Sequence, residues 1–248
     1  MRFHKSERTR ALPIRRVPVL WVIVFAGLVA SSKGVKALPA DVKDHGVFVL
    51  TLAGKQVGTE SFEIRPSKGQ VEAEAKVELR IEQDGKSAEY KTSTRLVLTP
   101  DLQAQTYQWN QKGAQSSQLE MDLRGASTSI RYKTVSGEND AREFQLPRDV
   151  IILDNNVIHH YQLVLARFRQ AGGGKQAFSA FIPQQALPGN LIVEEKERAE
   201  TDVGGRQEKL RHLVVTTDNA QIDLWADDHD RLQKISIPAA QLEVVRKK

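Results

Sequence analysis

The densest group of chemically capable side chains lies at residues 154–161: Asp154, Asn155 and Asn156, then His159, His160 and Tyr161. An aspartate with two histidines could serve as a hydrolytic dyad or as metal ligands. The spacing argues against shared ligation. Neighbouring residues on a helix project about 100° apart, whereas paired histidine ligands need the i, i+4 offset of a His-Glu-x-x-His motif. A third partner would have to come from His45, His212 or His229, on remote segments. The plainer reading is an Asp154 N-cap and histidines packed against a sheet. Trp109 and Trp225 are either core anchors or groove-lining aromatics. The ligand-contacting candidates are therefore Asp154, Asn155, His159, His160, Trp109 and Trp225. No catalytic residue, metal ligand or cofactor is assigned.

Other motifs reduce to structural roles. Gly172-Gly173-Gly174-Lys175 lacks the P-loop pattern, because Arg169 and Gln176 stand where a glycine and a Ser/Thr are required. It reads as a helix stop and connector. Asp227-Asp228-His229-Asp230 lacks EF-hand spacing and reads as a solvated turn. No Gly-x-Ser-x-Gly elbow occurs, which disfavours an α/β-hydrolase. The chain has 0 cysteines, which excludes disulfides, thiol catalysis, a lipobox anchor and Cys-based metal sites.

The elements that must position these residues are mainly strands. Val71, Ala73, Ala75, Val77, Leu79 and Ile81 alternate with Glu72, Glu74, Lys76, Glu78 and Arg80, the period-two pattern of a strand with one dry face. Similar segments separated by turn residues recur from residue 46 to the C-terminus. They predict a mainly β fold: a curved antiparallel sheet or open barrel of about a dozen strands. One segment breaks the rhythm. Val157, Tyr161, Val164 and Phe168 share a helical face, which predicts a single main helix over 154–170, with Arg167 and Arg169 near its C-terminal end. The domain division is 1–37 as a signal segment and 38–248 as one antiparallel β domain.

The N-terminus carries a basic arm, an apolar run over residues 17–30, then small residues before Leu38-Pro39-Ala40, the order of a secretory signal. The sequence predicts export, with cleavage after Ala37 or Ala40, and a periplasmic or secreted mature protein. Retention would leave an inner-membrane anchor, the one membrane contact expected. Of 36 basic and 31 acidic residues in the whole chain, residues 1–37 hold eight and one. The remainder has 28 and 30, a formal charge of −2, so no positive field remains to bind nucleic acid.

The hairpin around Gly54 and Gly58-Thr59-Glu60-Ser61-Phe62, the turn-plus-strand Thr99-Pro100-Asp101-Leu102 and the late strand Asp223-Leu224-Trp225-Ala226-Asp227 resemble uncharacterised exported β-proteins of Gram-negative bacteria. Their fold is similar to the periplasmic lipoprotein carriers (lipoprotein localisation factors), in which a curved sheet wraps an apolar groove. The resemblance implies non-enzymatic binding or carriage of an acyl or other apolar ligand, or of an envelope protein. None of the carriers' acyl-binding residues maps onto this chain. Two rivals remain: an interaction module with a filled core, and a hydrolase or metalloenzyme centred on Asp154, His159 and His160.

Overall fold

A computed structural model describes residues 42–83, 86–113, 116–134, 137, 139–217 and 220–247. The predicted signal segment, 1–37, lies outside the described residues. Eight strands form a first meander: β1 (Asp44–Leu52), β2 (Lys55–Ser67), β3 (Gln70–Gln83), β4 (Lys86–Leu98), β5 (Ala104–Gly113), β6 (Ser117–Asp122), β7 (Thr128–Thr134) and β8 (Asn139–Phe144). The two-residue β9 (Ile151–Ile152) and helix α1 (His160–Gln170) follow. A second meander closes the chain: β10 (Lys175–Ile182), β11 (Leu187–Glu195), β12 (Ala199–Asp202), β13 (Gln207–Thr216), β14 (Gln221–Ala226), β15 (Leu232–Ile237) and β16 (Leu242–Lys247).

These strands make one 16-stranded sheet in the order β8-β7-β6-β5-β4-β3-β2-β1-β16-β15-β14-β13-β11-β10-β9, with β12 flanking β13. The two meanders join where β1 pairs with β16, with Leu52 opposite Leu242 and Phe48 opposite Arg246. The dozen strands expected become sixteen in part because the extended chain after β10 is interrupted at Lys196-Glu197-Arg198, which separates β11 from β12.

The sheet curls until its two ends meet through side chains. Tyr132 Oη on β7 donates to the Pro183 carbonyl, just beyond β10, at 2.6 Å. Phe144 on β8 packs edge-on against Phe181 on β10, with ring centroids 5.1 Å apart. The predicted alternation holds in β3: Val71, Ala73, Ala75, Val77 and Leu79 are buried inside. Outside, Glu72 bonds to Arg65 at 3.0 Å and Arg95 at 2.9 Å. The β2–β3 hairpin turns on Lys68 and Gly69, both at positive φ (49° and 75°), the geometry that matches strand twist.

Helix α1 lies inside the curled sheet rather than upon it. The one-face stripe expected is accordingly too narrow: His160, Gln162, Leu163, Val164, Leu165, Ala166 and Phe168 are all buried. Its contacts place it at one end of the cup. Arg167 donates to the Asp101 carbonyl (3.0 Å), Gln162 to the Asp230 carbonyl (2.7 Å), and Arg169 pairs with Asp230 (2.7 Å). The β4–β5 and β14–β15 junctions that carry Asp101 and Asp230 lie at the end opposite the β1–β2 and β15–β16 turns. The helix stops at Gly172, Gly173 and Gly174, with φ of 92°, 70° and 76°.

The helix is shorter than predicted. Residues 154–159 precede it as irregular chain, and its N-cap is His159, not Asp154. Asn156 sits in the left-handed region at φ 63°, which ends any helical path. The amides of Ile158 and His159 bond to a strand instead.

Candidate functional site

The chain leaves β9 at the open end of the cup, turns inward at Asp154 and descends through the interior to α1. Glu60, in the middle of β2, anchors this descent. Its carboxylate accepts the N–H of Ile158 at 2.6 Å and of His159 at 2.7 Å, and lies 3.1 Å from His159 Nδ1. Glu60 and His159 are both 0% exposed. A buried carboxylate is tolerated only when hydrogen-bonded in this way, and its place at a helix N-terminus adds favourable dipole energy. His159 stacks on Phe62 (centroids 5.9 Å apart) and meets His160 edge-on at 4.7 Å. His160 in turn meets Tyr107 at 5.6 Å.

Above this segment lies a partly enclosed cavity of about 340 Å³. Its walls are mainly apolar: Leu50 and Leu52 of β1, Val57 of β2, Leu79 and Ile81 of β3, Tyr90 of β4, Trp109 of β5, Leu119 of β6, Tyr132 of β7 and Leu242 of β16. Asn155, Asn156 and Gln184 supply polar groups from the loops, and Thr92, Gln111, Ser117, Gln118, Lys133 and Thr134 add others from β4–β7. The volume falls at the lower end of the roughly 300–1,000 Å³ typical of small-molecule sites. On the outer face of β2–β6 a wider hollow, lined by Glu63, Glu74, Arg95, Gln108 and Glu120, is open and polar. It lacks the enclosure that desolvates a ligand.

The candidate residues thus divide. Trp109 and Asn155 line the cavity. Asp154, His159 and His160 are buried beside or below it, with no hydrogen bond among the three. Among the described residues no group of three or more His, Asp or Glu could hold a metal ion. Trp225 is elsewhere. Its neighbour Leu224 points into the core, whereas Trp225 stacks on His212 at 5.0 Å on the other face. Lys234 Nζ lies 5.5 Å from the Trp225 ring and donates to the Asp202 carbonyl of β12. Trp225 therefore helps to fasten β12 over the outer wall. The acidic run after β14 is a turn held by Asp227, which accepts the N–H groups of His229 (2.8 Å) and Arg231 (3.0 Å).

Glu60, which organises the site, was absent from the candidate set. A signal for it exists: it shares strand parity with Phe62 and Ile64, both buried, so an acid stands on the dry face of β2.

The curled sheet has a solved counterpart. A β-barrel-like protein of the domain of unknown function DUF1849 from Brucella abortus aligns with 83% of this chain and 95% of its own, with a TM-score of 0.55 and 10% identity. That likeness establishes the β-barrel-like fold. A DUF1089 family protein from Pseudomonas aeruginosa aligns with 86% of this chain and 98% of its own, with a TM-score of 0.43 and 13% identity. No protein-family model matches the chain, and no curated protein matches it in sequence.

Two buried groups in this region have shifted proton affinities of opposite sense. Burial holds the Asp154 carboxyl well above the ordinary 3.8, although the Gln184 amide and the Asn155 N–H oppose this; the charge of Glu60 raises it further. Burial holds the His160 imidazole well below 6.5, and His159 adds to this. A raised carboxyl contributes stability that is complete below 3.8 and lost as pH rises. A depressed imidazole contributes stability that is complete above 6.5 and lost as pH falls. Between these limits the two slopes, each up to about 1.4 kcal/mol per pH unit, oppose one another. Relative to wild type, Asp154→Asn is expected to gain stability on going from about pH 4.5 to about pH 6.5, and His160→Phe to lose it, each at no more than about 1.4 kcal/mol per pH unit. Urea unfolding at the two pH values measures this; curves that stay parallel to wild type would refute it.

Proposed function

We propose that the protein is an exported, non-catalytic binding protein of the cell envelope that holds an apolar ligand in the mouth of its β-cup. The observation that carries this reading is the apolar, partly enclosed cavity of about 340 Å³. The order of residues 1–40 supports export. The energetics favour exchange over permanent retention. About ten buried methylenes yield roughly 8 kcal/mol, and association costs of at least about 4 kcal/mol reduce that to a weak, reversible complex. A carrier needs such a balance; a fixed prosthetic group does not.

Native mass spectrometry of the protein purified gently from its own envelope tests both parts. The expected result is a chain beginning at residue 38 or 41, with a lipid-sized adduct that is lost on mild denaturation. Ala88→Trp, on the cavity wall, is expected to abolish the adduct while leaving the protein folded. A bare wild-type chain that also fails to bind any apolar probe would overturn the reading.

A further inference from the structure

Most of the cavity is apolar, but Asn155 and Gln184 give one side of it a polar character. Both side-chain oxygens of Asp154 and both amide atoms of Gln184 are buried; the Gln184 amide faces the Asp154 carboxyl, a contact that leaves the remaining hydrogen-bonding capacity of both groups unfilled. Asp154 is 7% exposed. Buried polar groups with unfilled hydrogen-bonding capacity are unfavourable, so a native fold seldom keeps such a pair without use for it.

Gln184 is not there for the turn that holds it. The chain contains this turn twice. Ile182-Pro183-Gln184-Gln185-Ala186-Leu187 links β10 to β11, and Ile237-Pro238-Ala239-Ala240-Gln241-Leu242 links β15 to β16. Each is a 3-10 turn with proline first, a left-handed residue at its end (Ala186 at φ 50°, Gln241 at φ 52°) and a 3.0 Å bond from that residue's N–H to the proline carbonyl. Ala239 occupies the position equivalent to Gln184, so the backbone geometry is met by a methyl group. The amide of Gln184 is surplus to the turn, and it lines the cavity together with Asn155.

From this juxtaposition we propose that Gln184 and Asn155, backed by Asp154, form a head-group subsite for a single-chain amphiphile with an uncharged, hydrogen-bonding head, such as a primary amide or an alcohol. The proposal rests on the cavity-binding reading above. An amide or hydroxyl head carries donor and acceptor together and can satisfy a carboxyl and a carboxamide at once. A carboxylate head would be desolvated beside the Asp154 carboxyl, and Lys133, the one cation among the lining residues, is exposed, so water screens the pairing it could offer. An ammonium head would lose its hydration for a carboxyl that burial already disfavours as an anion.

The test compares ligands of equal chain length, dodecanamide, dodecanol, dodecanoate and dodecylamine, by displacement of the neutral probe N-phenyl-1-naphthylamine from the purified protein at neutral pH. Dodecanamide and dodecanol are expected to bind at least about tenfold more tightly than the two ions. Gln184→Ala, which copies the twin turn and so keeps the fold, is expected to weaken dodecanamide about tenfold while leaving probe binding unchanged. Probe binding with no preference among the four heads, a preference for either ion, or an unaltered Gln184→Ala variant would each overturn the subsite while the cavity reading stands. Failure of the probe itself to bind would overturn both.

Discussion

Glu60→Ala is expected to lower the unfolding free energy by about 3–5 kcal/mol, the largest single effect in the interior. The variant leaves the Ile158 and His159 amides buried without an acceptor, and bonds to a charged partner are worth about 1.5–3 kcal/mol each. It also removes the group facing His159 Nδ1. For a domain of this size that corresponds to a loss in melting temperature of about 6–20 °C. Glu60→Gln keeps the shape but offers only one accepting oxygen, so its loss should be intermediate. Thermal unfolding followed by circular dichroism measures both. A Glu60→Ala variant within about 1 kcal/mol of wild type would show that the descent of residues 154–159 does not depend on this anchor.

Arg246→Met is expected to be comparably severe, again by about 3–5 kcal/mol. Arg246 sits on the last strand with its side chain 10% exposed, and Asp44 on the first strand is 6% exposed. Its guanidinium bonds to Asp44 at 2.6 and 3.1 Å and donates to the carbonyls of Leu232 (2.7 Å) and His45 (3.2 Å). It also lies 5.2 Å from the ring centroids of both Phe48 and Phe62. Gly46 leaves room for it: a Cβ there would stand 3.1 Å from Arg246 Nη1. The planar fork makes all these contacts from one position, so Arg246→Lys should not rescue the loss. The double variant Asp44→Leu with Arg246→Met removes both charges and should recover much of it, because an apolar replacement of a whole buried pair is often neutral. Urea unfolding of the two single variants and the double closes the cycle; strictly additive losses would count against this account.

The strands could be read from the chain because their signal is local. In β3 the side chains alternate and the burial follows. The helix over His160–Gln170 was legible for the same reason. What escaped was set by distant partners. Residues 154–159 carry helix-compatible spacing, yet two of their amides are taken by Glu60, 98 and 99 residues away, and no local pattern encodes that. The burial of α1 on nearly every side followed from the curl of the sheet, which no strand records individually. The candidate site was half legible. Asn155 and Trp109 do face one cavity, whereas Trp225 is carried to the outer wall by strand parity, a matter of which face is inside. Asp44, Glu60 and Arg246 share a weaker signal: each is a charge on the dry parity of an otherwise apolar strand face.

The pairing of β1 with β16 also constrains how the protein reaches its native state. Asp44 and Arg246 are 202 residues apart in sequence, and among the described residues the two meanders share no other strand-to-strand seam. Until the final strand is available, the first meander is a sheet with a bare β1 edge, open to pairing with another chain. The closing step therefore waits for β16 and carries a large loop-closure entropy, which slows it relative to hairpin formation. Truncation before Leu242 would leave a nearly complete but edge-exposed intermediate. For this protein the vulnerable interval is the time between formation of the first meander and the docking of β16.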